Sequence, residues 1–220
     1  MPDGGVAVNV SDAGLERSAT LTTYQRGDQI CGSEPAGRLY CVVSGLAKTC
    51  TLLENGRQQT IDLLVAGDFF TVSARCAGGL TVEALAKRTV IAIYRLESIK
   101  TLIVQRPEIG AFLLDVAFGT ARRLQRRMQT LAYLHTREKV GAFLVEMWER
   151  LSAPESDIVA LPISRYDMAD YLGLSVESVS RALSWLKREG AIRMLSVRSV
   201  KLVGGTVLAM WEAAQNSTQN

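Results

Sequence analysis

The sequence predicts an α+β chain built from an N-terminal antiparallel β-roll of jelly-roll type, one long helix and a C-terminal winged helix-turn-helix. Three patterns predict it. Short apolar runs broken by glycines fill the stretch from Leu21 to Arg95, apolar residues recur at helical steps after Pro107, and two short segments with capping signals meet at Gly173.

The 220 residues suffice for two cores, since domains usually hold roughly 100 to 150 residues. A composition of 48% hydrophobic and 21% charged residues excludes wholesale disorder. The expected organisation is a loose terminus over 1–20, the β-roll over 21–106, the long helix over 107–135, the helix-turn-helix domain over 136–210 and a polar tail over 211–220. No apolar run approaches the roughly 18 residues of a membrane span, and the opening MPDGG lacks a signal-peptide layout, so a cytoplasmic protein without a membrane partner is expected. Cys31, Cys41, Cys50 and Cys76 are widely spaced, form no CxxC pair and are expected to stay thiols.

In the first half, the runs Leu39–Val43, Ile61–Val65 and Val90–Tyr94 have strand length. Asn55-Gly56 supplies the positive-φ pair of a tight hairpin, while Gly27, Gly45 and Gly67 punctuate the rest at regular intervals. From Pro107 to His135, about 43 Å of helix at about 1.5 Å per residue, the apolar stripe is Ile109, Leu113, Val116, Thr120, Leu124, Met128 and Leu131. The stripe has two readings, packing on its own domain or pairing with a second copy. The length of a helix placed between two domains favours the dimer seam. A second helix is expected over Thr136–Leu151.

Ser164 then caps a helix from Tyr166 to Leu172 that Gly173 closes, and Ser175 caps a second from Val176 to Glu189, ended by Gly190. Residues 192–203 follow as a hairpin wing. The net charge of +3 conceals clustering: Arg122, Arg123, Arg126 and Arg127 crowd the long helix, and Arg181, Lys187, Arg188, Arg193, Arg198 and Lys201 crowd the C-terminal part. A helix-turn-helix inserts its second helix into the major groove of duplex DNA. On that helix Glu177, Ser180 and Arg181 share one face, while Val176, Val179, Leu183 and Leu186 turn inward. Arg bonds guanine, Glu accepts from a cytosine amine, and Ser bonds a base edge or touches a thymine methyl. The alternative is an ordinary i,i+4 pair between Glu177 and Arg181, which is compatible with base reading. Arg165, Ser175, Ser178 and Arg198 flank this face as candidate phosphate contacts.

The segment DMADYLGLSVESVSRALSWLKREGAI resembles the DNA-binding motif of the family containing the catabolite activator protein and the fumarate and nitrate reduction regulator (FNR). Glu177, Ser180 and Arg181 are similar to the E-x-x-S-R arrangement of the FNR and FixK-type branch. RLYCVVSGLAKTC and VAGDFF resemble the family's cyclic-nucleotide-binding-like sensor roll, and 107–135 resembles its dimerisation helix, so the match spans 21–203. The resemblance implies a homodimeric transcription regulator on a palindrome of TTGA and TCAA half-sites with a six-base spacer. It implies an activator contacting RNA polymerase, although a repressor of the same architecture fits equally.

The roll departs from that family where effectors bind. Cyclic-nucleotide binders carry Gly-Glu and, some ten residues on, Arg with Ser or Thr; here stand Gly67-Asp68 and Gly78-Gly79-Leu80-Thr81, with Arg75 out of pattern, so no cyclic nucleotide is expected. No cysteine precedes Cys31, which argues against the family's iron–sulfur cluster. Cys31, Cys41 and Cys50 lie in strand-like runs and read as small buried hydrophobes, which leaves Cys76 as the candidate redox thiol. His135, the one histidine, has no second ligand near it, and neither a metal nor a cofactor is expected. A thiol enzyme using Cys76 and His135 is the competing reading of another class, disfavoured by the lack of any catalytic motif. A helix-turn-helix that docks only protein is the third.

Overall fold

The computed structural model describes residue 15 and residues 18–31, 37–52, 56, 58–71, 80–152, 156–161, 163–196 and 198–203. Their contacts divide the chain into two compact units, with the division at Leu124/Gln125 inside the long helix.

The first unit contains β1 (Thr20–Gln25), β2 (Gln29–Cys31), β3 (Arg38–Ser44), β4 (Leu46–Leu52), β5 (Gln58–Val65), β6 (Phe69–Phe70), β7 (Thr81–Ala84) and β8 (Arg88–Arg95), followed by α1 (Leu96–Gln105) and the start of α2 (Pro107–Tyr133). The strands form two four-stranded antiparallel sheets, ordered β1-β8-β3-β6 and β2-β7-β4-β5. Side chains of both sheets meet in one core: Tyr40, Val42 and Ile91 of one pack with Ile30, Ala47, Leu64, Val82 and Ala84 of the other. The alternate residues of β3 and β8, Cys41, Ala92 and Tyr94, face a second core made with Ile99 of α1 and Ile109 of α2. The β1-β8-β3-β6 sheet is therefore covered on both faces, which is why β3 and β8 carry unbroken apolar runs. The β4–β5 hairpin forms, its ladder ending at Leu52 with Gln58, and Gly56 stands at φ +76°; Asn55, on which the tight turn was expected, lies outside the described residues. Gly45 enters β4 at φ +91°, where a Cβ would come within 2.5 Å of the Arg88 carbonyl oxygen. Only glycine permits that approach.

The sequence pattern assigned no element to α1. Its apolar positions Leu96, Ile99, Leu102 and Ile103 do follow helical spacing, and the last three pack into the second core.

The long helix ends at Tyr133 rather than His135, and its expected seam needs correction. Ile109 is 1% exposed, a full member of its own domain's core, and Leu113 packs beside it, so these two serve the roll. Val116, Thr120, Leu124 and Leu131 are half-buried, and of the expected stripe only Met128 is an exposed large hydrophobe. The inward face runs Ile109, Leu113, Val116, Thr120 and then Arg123, not Leu124. Arg123 Nη2 donates to Asp62 Oδ2 at 2.6 Å and Nη1 to Asp68 Oδ1 at 3.2 Å. The other oxygens of these carboxylates accept backbone N–H groups, Asp62 Oδ1 from Leu63 at 2.9 Å and Asp68 Oδ2 from Val65 at 2.8 Å. An arginine continuing an apolar face is invisible to hydropathy. The outward face is Ala111, Leu114, Phe118, Ala121, Gln125, Met128 and Ala132, all exposed and spaced by three and four.

The second unit adds α3 (Thr136–Leu151), β9 (Ile158–Ala160), α4 (Arg165–Leu172), α5 (Val176–Arg188), β10 (Ile192–Ser196) and β11 (Ser199–Leu202). β10 and β11 form the expected wing, its Val197 lying outside the described residues. β9, which the sequence did not suggest, completes a β10-β11-β9 sheet. Buried Val140, Phe143, Leu144 and Met147 of α3 supply the core on which α5 packs through Val179, Leu183 and Leu186.

Two outcomes follow from this packing. Arg123→Ala leaves two largely buried carboxylates without their cation, so urea unfolding should show a loss of about 3 to 5 kcal/mol; a loss below about 1 kcal/mol would mean the ion cluster does not hold α2. Burial, with the Asp68 charge second, pushes the Cys41 thiol up to about 12. At pH 8 that group stays protonated, and iodoacetamide followed by peptide mapping should leave Cys41 unmodified until the protein is denatured.

Candidate nucleic-acid interface

Local capping chemistry builds the helix-turn-helix. Ser164 Oγ accepts the Asp167 N–H at 3.1 Å, while the Asp167 carboxylate accepts the Ser164 N–H at 3.1 Å, a reciprocal capping box that starts α4. α4 therefore begins at Arg165, one residue before the expected start. Gly173 closes it at φ +63°, with the Leu174 N–H donating to the Ala169 carbonyl at 2.9 Å. Ser175 Oγ accepts the Ser178 N–H at 3.1 Å and starts α5. α5 ends at Arg188, with Glu189 as its C-cap.

α5 is sharply two-faced. Val179, Ala182, Leu183 and Leu186 are buried, whereas Glu177, Arg181, Ser184, Lys187 and Arg188 are exposed. Ser180 is half-buried at the edge of the exposed face, and Val176 is half-buried rather than core. The structure thus brings Glu177, Ser180 and Arg181 together on the first turns of one helix. The Glu177 carboxyl is held below the usual carboxylate range by its own backbone N–H first and by Ser175 second, with Arg181 contributing last. It stays ionised as an acceptor, with the guanidinium of Arg181 the smallest of the influences that hold it there.

Arg165 is exposed, and its Nη1 donates to Ser180 Oγ at 3.0 Å. A candidate phosphate contact and a candidate base contact are therefore bonded to one another, a pairing across fifteen positions that no local pattern signals. Ser175 Oγ donates in turn to Ser178 Oγ at 3.0 Å, so the two serine phosphate candidates form the α5 cap itself. Arg198 is exposed on the wing, with its N–H donating to Ser196 Oγ at 3.1 Å. One exposed residue was not singled out from sequence, Tyr166, beside Arg165; Arg193, one of the clustered basic residues, is exposed on β10. Tyr166 had a signal, an aromatic on the outer face of a capped helix.

The basic run on α2 splits. Arg122 and Arg126 are exposed, but Arg123 is committed to Asp62 and Asp68, and Arg127 Nη2 donates to the Tyr171 carbonyl at 2.8 Å. Cys31, Cys41 and Cys50 are buried cysteines outside any disulfide, and Cys76 lies outside the described residues. His135 is exposed at the start of α3, where its N–H donates to Glu138 Oε2 at 2.7 Å. No group of three or more metal-ligating side chains occurs among the described residues, and no helix there is long and apolar enough to cross a membrane.

Two family models match the chain, the cyclic nucleotide-binding domain over residues 21–106 and the Crp-like helix-turn-helix domain over 138–203. The chain is 31% identical over 209 residues to the nitrogen fixation regulation protein FixK of Azorhizobium caulinodans, covering 90% of this chain and 82% of that protein. It is 30% identical over 195 residues to the transcriptional activator protein FnrL of Cereibacter sphaeroides, covering 86% and 78%. Its fold superimposes on the structure of FixK2 from Bradyrhizobium japonicum with a TM-score of 0.75 and 31% identity, over 90% of this chain and 96% of that one. With the β-roll, the long helix and the E-x-x-S-R face of α5 in place, the chain belongs to the family of the catabolite activator protein and FNR, in its FixK branch, and is a DNA-binding transcription regulator rather than an enzyme.

Proposed function

We propose that this regulator acts in the cytoplasm as a homodimer on a palindrome of TTGA type, with TTGA, a six-base spacer and TCAA, and activates transcription by touching RNA polymerase. The observation that carries this reading is the exposed first-turn face of α5, which presents Glu177 and Arg181 to solvent beside a Ser180 held by Arg165. Arg181 bonds the guanine bidentately, Glu177 accepts from the amine of a cytosine on the complementary strand, and Ser180 lies against a thymine. Arg165, Ser175, Ser178 and Arg198 supply the phosphate contacts that set register.

Dimerisation runs through the outward face of α2. Leu114, Phe118 and Met128 are large, apolar and 59%, 61% and 72% exposed, at positions that repeat with the period of a two-stranded coiled coil. Activation is favoured over repression by the likeness to FnrL, a transcriptional activator protein. Regulation without a cyclic nucleotide is supported by Asp68, which stands where binders carry Glu and whose two oxygens are already taken by Arg123 and the Val65 N–H. No effector or cofactor is assigned, and control by abundance or modification follows.

Competition between duplexes differing only at the guanine of TTGA tests the reading. Arg181→Ala should cost about 1 to 3 kcal/mol per half-site and erase the preference at that base pair, whereas Arg198→Ala should weaken all sequences alike and flatten the salt slope by about one unit. Equal preference in wild type and Arg181→Ala would remove Arg181 from base reading. For the seam, Phe118→Glu combined with Met128→Glu should yield monomers by light scattering and lose palindrome affinity; Leu124→Glu, on the half-buried side, should act through stability instead. A double variant that remains dimeric would place the seam elsewhere.

A further inference from the structure

We infer that Arg127 is a positioning residue that fixes the angle at which the reading helix is presented and thereby sets the spacer length the regulator accepts; this rests on the palindrome proposed above. Within the unit that starts at Gln125, Tyr171 occupies the last turn of α4, two residues before the turn glycine Gly173. The final carbonyls of a helix have no intrahelical partner. Those of Ala169 and Asp170 accept from Leu174 and Gly173 inside the turn, while that of Tyr171 accepts from Arg127 Nη2 at 2.8 Å. A cation from α2 thus caps the negative end of the first helix of the motif.

The same guanidinium lies over the Tyr171 ring, its carbon 3.9 Å from the centroid. Two contacts of different geometry, one in the plane of the guanidinium and one perpendicular to it, define an orientation where one bond would define only a distance. The far end of the ring is held as well. Tyr171 Oη donates to the Glu146 carboxylate, 3.2 Å from each oxygen, and the ring meets Phe143 edge to face at 5.6 Å. Glu146 also accepts from Arg150 at 3.2 Å. Tyr171 is therefore gripped from α2 at one end and from α3 at the other, and it is 1% exposed. α4 cannot swing against α2 without breaking both Arg127 contacts.

The spacing between two half-sites makes this angle consequential. Adding one base pair moves a half-site by about 3.4 Å and turns it by about 35°. If the two α2 helices pair as proposed, the α2–α4 angle sets where each α5 stands, and a rigid angle admits one spacer. Arg127 makes no contact with bases in this account; it acts through Tyr171.

The test measures binding of the full chain to duplexes with TTGA and TCAA separated by five, six or seven bases, together with the six-base duplex altered at the guanine. Wild type should favour one spacer by about tenfold or more. Arg127→Ala should bring the three spacers within about threefold of one another while the guanine preference and the dimer, by light scattering, persist. Arg127→Lys, which keeps a cationic donor but not the planar stack, should recover part of the spacer preference. Arg126→Ala, which removes the same charge from the exposed side of α2, should leave the preference intact. If Arg127→Ala weakens every duplex by the same factor, or Arg126→Ala relaxes the spacing equally, the inference is overturned. Should the alanine variant fail to fold, an Arg127→Lys protein with full wild-type selectivity overturns it too. Wild type without preference for any palindrome would sink the proposed operator first, and this inference with it.

Discussion

A largely buried guanidinium between two carboxylates fixes the rotation of the long helix. Arg123 lies with Asp62 and Asp68 at side-chain exposures of 13%, 8% and 14%, where desolvation is costly and is offset only if every charge finds partners. Here each carboxylate accepts the guanidinium on one oxygen and a backbone N–H on the other. A helix can rotate about its axis with little change in apolar burial, because leucines on neighbouring faces substitute for one another. It cannot rotate away from a directional ion cluster. Arg123 therefore decides that Ile109 and Leu113 enter the core of the roll and that Leu114, Phe118 and Met128 remain outside.

That constraint explains why the helix was legible in sequence and its faces were not. Periodicity detected α2 and followed the strongest apolar positions, which carried the stripe from Thr120 to Leu124 and Met128. The inward face instead continues from Thr120 to Arg123, and a charged residue reads as outward in any hydropathy pattern. The helix-turn-helix was legible almost to the residue because its boundaries are written locally, in Ser164, Gly173 and Ser175, each within three residues of the group it caps. β9 was not, since three residues become a strand only by pairing with β11, some forty positions away. α1 had the spacing of a helix but sits against the Arg106–Pro107 break, which drew attention to the period after it.

The reading surface divides along the same line. Glu177, Ser180 and Arg181 share a face for reasons of helical geometry alone, and sequence suffices to place them. The bond from Arg165 to Ser180 comes from packing α4 against α5 and joins two residues that spacing treats as separate. Its consequence is a Ser180 hydroxyl with one of its two lone pairs engaged by a cation.

The roll keeps the fold of a cyclic nucleotide-binding domain, and its Gly67-Asp68 corner holds Arg123 of the long helix. A glutamate there would reach further from the β5–β6 turn; aspartate is one methylene shorter, and its carboxylate folds back onto the Val65 N–H and out to Arg123. An effector that needed this carboxylate would have to displace a guanidinium that also neutralises Asp62. Binding would then expose one buried charge in order to satisfy another, and its net gain would shrink accordingly. In this chain the corner stabilises one setting of α2 against the roll by means of the chain's own arginine.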